Sequence, residues 1–105
     1  MLEDLFRLDG KVVVITGAIG LLGRKHAEAI ACYGGTPILL DLSQQAVDDF
    51  SNELSEKYKV NSAGFAVDIT DEKAIKNNIK LIMDKFGKID GLVNNAANNP
   101  KVEEN

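Results

Sequence analysis

Lys11-Val-Val-Val-Ile-Thr16-Gly17-Ala18-Ile19-Gly20-Leu21-Leu22-Gly23 decides the architecture of this chain. Its first half, Lys11 to Thr16, is an unbroken β-branched run, which is how a strand buried on both faces reads. Its second half sets glycines at i, i+3 and i+6 and hands over to an amphipathic stretch. From about Leu21 to Tyr33, the residues Leu22, Ala27, Ile30 and Ala31 recur at helical spacing, and Gly34-Gly35 stops the pattern. Glycines between a strand and a helix have separate tasks. One lets the chain turn tightly, one lets backbone N–H groups approach a pyrophosphate, and one lets the helix pack closely on the sheet. The helix start adds unpaired donors and the positive end of its dipole. Gly17, Ala18, Ile19, Gly20, Leu21, Leu22 and Gly23 are therefore the candidate lining of a phosphate cradle.

The same alternation continues outward. Asp9-Gly10 is a turn signal ahead of the first strand, and Thr36 to Asp41 is a second apolar run that tolerates Pro37 only near its start. Val47, Phe50, Leu54 and Tyr58 form a helical stripe behind Ser43 as N-cap. Ala63 to Val67 reads as a third strand. Thr70 is the expected N-cap of a third helix, with Asp71 and Glu72 suited to its positive end and Ile75, Ile79, Ile82, Met83 and Phe86 on its apolar face. Gly87 ends that helix, Ile89 to Val93 is a fourth strand, and Asn94-Asn95 opens a loop. Residues 98–105 form a polar tail.

The order βαβαβαβ with short connections predicts one α/β domain over residues 1–105, a partial Rossmann fold. The expected sheet is parallel and four-stranded, of order 3-2-1-4, with the first two helices on one face and the third on the other. Apolar surface beside the first and fourth strands would then stay uncovered, and the fourth strand would be a bare edge, so self-association is expected.

Composition narrows the function. The chain has 105 residues, 45% hydrophobic and 27% charged, with a formal net charge of −4. Scattered lysines and arginines in an acidic chain argue against nucleic acid or an anionic membrane as partner. No apolar run is long enough for a signal-peptide core or a membrane span, which predicts a cytoplasmic protein. Cys32 is the single cysteine and His26 the single histidine, so no disulfide framework or metal site is expected. His26 reads as a surface residue.

Asp41 closes the second strand, eighteen positions after Gly23. A carboxylate there can accept both hydroxyls of an adenosine ribose while repelling a 2′-phosphate. Leu42 and Ser43 bring no positive charge, although Arg24 and Lys25 lie at the start of the first helix and offer attraction for a phosphate. The expected cofactor is NAD rather than NADP.

These segments together resemble the short-chain dehydrogenase/reductase family, along essentially the whole chain. Phe6-Arg-Leu-Asp-Gly-Lys-Val12 is similar to that family's entry into its first strand. Asp68-Ile69-Thr70 resembles the segment after the third strand, which implies that the Asp68 carboxylate meets the adenine amino group. Gly87-Lys-Ile-Asp-Gly-Leu-Val-Asn-Asn-Ala96 resembles the fourth strand and its Asn-Asn-Ala-Gly signature, which implies that Asn95, Ala96 and Ala97 border the cofactor. Two departures stand out. Leu21 occupies the family's middle-glycine position, a spacing closer to the sugar-nucleotide epimerase and dehydratase branch, and Ala97 replaces the last glycine of the signature.

The resemblance implies an NAD-dependent oxidoreductase that moves hydride between the cofactor and an alcohol or ketone. It also places the catalytic serine, tyrosine and lysine beyond the Asn-Asn-Ala segment. No Tyr-x-x-x-Lys occurs here, since Pro37 follows four after Tyr33 and Ser62 four after Tyr58. No catalytic residue is therefore assigned, and the 105-residue chain is expected to be inactive alone. A non-catalytic adenine-nucleotide-binding module and part of an epimerase-type enzyme remain as alternatives.

Overall fold

The computed structural model describes residues 6–95, so Ala96, Ala97 and the polar tail lie outside the described residues. The elements are β1 (Val12–Thr16), α1 (Leu21–Cys32), β2 (Thr36–Asp41), α2 (Gln44–Tyr58), β3 (Ala63–Ala66), α3 (Glu72–Phe86) and β4 (Gly91–Asn94). They form one parallel sheet of order β3-β2-β1-β4, as the alternation predicts. Register runs from Val12 opposite Thr36 to Thr16 opposite Leu40, and from Val13 opposite Gly91 to Thr16 opposite Asn94.

Successive side chains of a strand alternate between faces, and this divides the core in two. Ile15 and Leu39 point to one face, where Ala27, Ile30 and Ala31 of α1 and Val47, Phe50 and Leu54 of α2 cover them. Val12, Val14, Ile38 and Leu40 point to the other face and meet Ile82, Ile75 and Phe86 of α3. Two helices thus cover one face and one the other.

The helix ends follow their local chemistry, with one correction. Ser43 caps α2 by accepting the Ala46 N–H at 3.2 Å. The cap of α3 is Asp71, which accepts the Ala74 N–H at 3.1 Å, and not Thr70. Thr70 is held instead by Asp68, which accepts both its N–H and its hydroxyl hydrogen bond. Gly87 ends α3 at φ 82 as read from the sequence, while α2 ends on Lys59 in the same left-handed region at φ 59.

Other differences concern which side chains are covered. Leu22 belongs to the α1 stripe by spacing but is exposed, and in the first turn Gly23 is the buried residue instead. Ile79 and Met83 of α3 are exposed as well, while the polar Asn78 is buried. Helix α3 spans a sheet face wider than one helix covers. A gap of about 150 Å³ bordered by Val14, Ile75, Ile79, Ile82, Ile89 and Leu92 remains on that side. Strand β4 begins at Gly91, two residues later than expected, because Asp90 accepts the Val12 N–H at 2.8 Å and Lys88 lies 3.2 Å from its carboxylate. No helix among the described residues is long and apolar enough to cross a membrane.

Candidate functional site

Parallel strands bring all four C-terminal ends to one rim. Connections leave β1 toward β2 on one side and enter β4 on the other, so a crevice opens at that rim between diverging loops. Gly17 turns the chain out of β1 with φ 63, a conformation that a side chain would strain. Gly23 sits where α1 crosses the turn. A Cβ there would lie 2.1 Å from the Gly17 carbonyl oxygen and 2.8 Å from Ala18 Cα, both backbone atoms. The third glycine of the motif is thus required by packing.

Hydrogen bonds fix the turn between them. Ala18 N–H donates to the Leu40 carbonyl at 3.2 Å, and Gly20 N–H to the Gly17 carbonyl at 3.1 Å. Ile19 N–H donates to Asp41 Oδ2 at 3.0 Å, and the Ile19 carbonyl accepts from Arg24 Nε at 3.0 Å. The apex donors are therefore satisfied within the protein. Leu21, Leu22 and Gly23 form the first helical turn, whose N–H groups have no intrahelical acceptor. Gly20, the N-cap, has no side chain to take one. Both leucine side chains are exposed beside these donors.

Asp41 stands at the end of β2, part-buried. Its Oδ1 accepts the Leu42 N–H at 2.8 Å while Oδ2 accepts that of Ile19. Each oxygen keeps further lone-pair capacity for hydroxyl donors. Across the rim, the Asp68 carboxyl is held below the usual carboxylate range, first by the Thr70 hydroxyl and then by the Thr70 N–H. These bonds are 2.6 and 2.9 Å long, and both fall on Oδ1. Gly17, Leu40, Asp41, Leu42, Val67, Asp68, Ile69 and Thr70 together surround a hollow of about 210 Å³.

The fold thus brings Gly17, Asp41, Leu42, Asp68 and Ile69 to one hollow. Leu21 and Leu22 stand apart from it at the start of α1, and Asn95 lies past the end of β4. The Asn95 carboxamide nitrogen is buried without a hydrogen-bond partner among the described residues. Beside it, Thr16 Oγ1 donates to Asn94 Oδ1 at 2.9 Å, tying the ends of β1 and β4 together. Arg24 is not a free cation at the helix start, because its guanidinium also lies 4.5 Å from the centre of the Phe50 ring. The Arg24 clamp and the Asp90 tie were not evident from spacing, since each joins residues on different elements. His26 is exposed, as expected, and no metal-binding cluster exists among the described residues.

A parallel sheet of this order, with a glycine turn at its switch point, defines a Rossmann-type nucleotide-binding module. Residues 11–105 match the family model described as short chain dehydrogenase. The chain belongs to the short-chain dehydrogenase family. Mouse 15-hydroxyprostaglandin dehydrogenase [NAD(+)] is 33% identical over 96 residues, 90% of this chain and 36% of that protein. The crystal structure of 2-keto-3-deoxy-D-gluconate dehydrogenase from Streptococcus agalactiae matches with a TM-score of 0.80 and 36% identity, over 97% of this chain and 38% of that one. L-Sorbose reductase from Gluconobacter frateurii, complexed with NADPH and L-sorbose, gives a TM-score of 0.84 at 29% identity, over 92% of this chain and 37% of that one. The chain therefore spans little more than a third of the length of these relatives. They are dehydrogenases and a reductase, in agreement with the fourth-strand signature rather than with the epimerase-like glycine spacing. One is named for NAD(+) and one was solved with NADPH, so the relatives share a nicotinamide dinucleotide.

Proposed function

We propose that this chain supplies the adenosine and pyrophosphate half of an NAD(H) site in a protein that interconverts an alcohol and a ketone. The observation that carries this reading is the double anchoring of Asp41. Two backbone N–H groups fix its carboxylate at the edge of the rim hollow, so it can receive two ribose hydroxyls without reorganising. The turn suits a pyrophosphate as well. A Cβ at Gly20 would meet only the Gly17 carbonyl oxygen, at 3.4 Å, so the backbone there is open to close approach. The first-turn donors of α1 and its dipole then face the phosphates. When bound, the nicotinamide supplies the hydride chemistry. Leu42 and Ile69 offer apolar contact to the adenine, and Asp68 accepts from its amino group. Asn95 borders the cofactor past the end of β4; Ala96 and Ala97, which the family resemblance adds to it, lie outside the described residues.

The carboxylate also selects. A 2′-phosphate placed against Asp41 sets two anions together, and no cation stands among the described residues that line the hollow. Titration calorimetry with ADP-ribose and its 2′-phosphorylated form tests this, with an expected preference of about tenfold or more for the first. The Asp41→Ser variant should lose that preference. Equal affinities in the unsubstituted chain would refute the NAD assignment.

A second part of the proposal concerns association. Ile79 and Leu92, which border the gap beside α3, are 45% and 63% exposed, and Met83 of the same helix is 42% exposed. Apolar surface of this kind drives self-association when nothing else covers it. Light scattering on the 105-residue chain should give a mass above the 11.4 kDa of one copy, returning toward it in Ile79→Lys. A strict monomer at tens of micromolar rules this out.

A further inference from the structure

We infer that Arg24 is a positioning residue for pyrophosphate recognition, acting through the Ile19 peptide rather than as a phosphate ligand. This rests on the reading of the glycine turn as a phosphate cradle and concerns how that cradle is held open. Ile19 lies at the apex of the turn, and ionic side chains from two different elements hold its polar groups. Asp41 of β2 takes its N–H at 3.0 Å, while Arg24 of α1 donates Nε–H to its carbonyl at 3.0 Å. The guanidinium itself lies over the Phe50 ring of α2, 4.5 Å from its centre, and Phe50 is 2% exposed. The apex of the turn is thus fixed by β2, α1 and α2 at once.

The consequence is electrostatic. A carbonyl oxygen free to swing into the cradle would repel a pyrophosphate and block the first-turn donors. Arg24 fixes the Ile19 carbonyl toward itself, so the donors of Leu21, Leu22 and Gly23 stay unobstructed. Pre-organisation of this sort raises affinity by removing a reorganisation cost on binding. Because Arg24 is bonded on one edge and stacked on one face, its role depends on a planar guanidinium and not on charge alone.

The test separates phosphate recognition from overall stability and from the cradle reading itself. Adenosine and ADP are titrated into the 105-residue chain and its Arg24→Met and Arg24→Lys variants, with thermal unfolding and the Ile19 and Gly20 amide resonances followed in each. In the unsubstituted chain ADP should bind more tightly than adenosine; failure of that comparison refutes the cradle reading, and the inference with it. In Arg24→Met the ADP affinity should fall about tenfold, the scale of one lost charge-assisted hydrogen bond, while adenosine affinity stays unchanged. Arg24→Lys should behave like Arg24→Met, and the Ile19 and Gly20 amides should shift in both without ligand. Full recovery of ADP binding by lysine would show that charge alone suffices and overturn the positioning role. Equal weakening of adenosine and ADP, or no weakening of either, would overturn it too.

Discussion

Gly23→Ala is the substitution whose cost can be worked out most directly. The added Cβ would stand 2.1 Å from the Gly17 carbonyl oxygen, 2.8 Å from Ala18 Cα and 2.9 Å from the Gly17 carbonyl carbon. All three are backbone atoms, so no rotamer change relieves the contact. Helix α1 must move away from the turn by about 1 Å, opening the packing that Ala27 and Ile30 make with the sheet, at about 3 kcal/mol for overpacking of this kind. Alanine returns about 1 kcal/mol through its better helix propensity. The net loss of about 2 kcal/mol should lower the melting temperature by roughly 10 °C in a domain of this size. Gly20→Ala is the control, because its Cβ would touch only the Gly17 carbonyl oxygen at 3.4 Å. Circular-dichroism melts of both variants, without ligand, check the reasoning. If Gly23→Ala melts with the unsubstituted chain, close approach of helix and turn is not what that glycine provides. Gly20→Ala should keep its melting temperature and lose affinity for ADP, which separates a glycine that packs from one that a ligand approaches.

Three further outcomes follow from single contacts. The Asp90 carboxyl is held below its usual range, first by the Val12 N–H and then by Lys88. The folded state therefore favours its anion, a stabilisation present above the ordinary carboxylate pKa and lost as pH falls through the lowered folded value. Urea midpoints should separate Asp90→Asn from the unsubstituted chain at pH 7, and the gap should narrow as pH falls below the ordinary carboxylate pKa; a gap independent of pH would exclude the effect. Gln44 bridges the free edge of β3, donating to the Gly64 carbonyl at 3.0 Å and accepting the Ala66 N–H at 2.9 Å. Gln44→Ala should cost about 1 kcal/mol in urea unfolding and raise the aggregation rate, since it bares two strand-edge groups. Lys59 ends α2 in the left-handed region at φ 59, so Lys59→Gly should stabilise by about 0.5–1 kcal/mol, measured by the same unfolding curves.

The fold was legible because its signals are local. Val12 to Thr16 and Thr36 to Asp41 are continuous apolar runs, and Gly87 directly follows the last residue of an apolar helical stripe, where it ends the helix. Such features need no partner to be read. The misplaced details each depended on a contact between distant residues. Thr70 and Asp71 are both acceptable caps, and only the bonds from Thr70 to Asp68 pass the role to Asp71. Leu22, Ile79 and Met83 satisfy helical spacing, which gives the direction of a side chain on its helix and not the width of sheet available beneath it. Of the candidate site, the glycines and Asp41 were visible from position alone. The Arg24 clamp was not, because its two partners, the Ile19 carbonyl and the Phe50 ring, lie on the turn after β1 and on α2.

The leucine at the family's middle-glycine position shows how the two kinds of information combine. Taken by spacing alone, Leu21 suggests another branch of nucleotide-binding proteins. In the fold it is the first residue of α1 and is 76% exposed. On the proposed reading, the bare backbone for a diphosphate lies one residue earlier, at the N-cap Gly20, where a Cβ would meet nothing closer than 3.4 Å. The glycine has moved by one position along the turn while Gly17 and Gly23, the two that geometry requires, have stayed. What the exchange alters is the wall beside the donors, now the apolar side chains of Leu21 and Leu22 at the helix entrance.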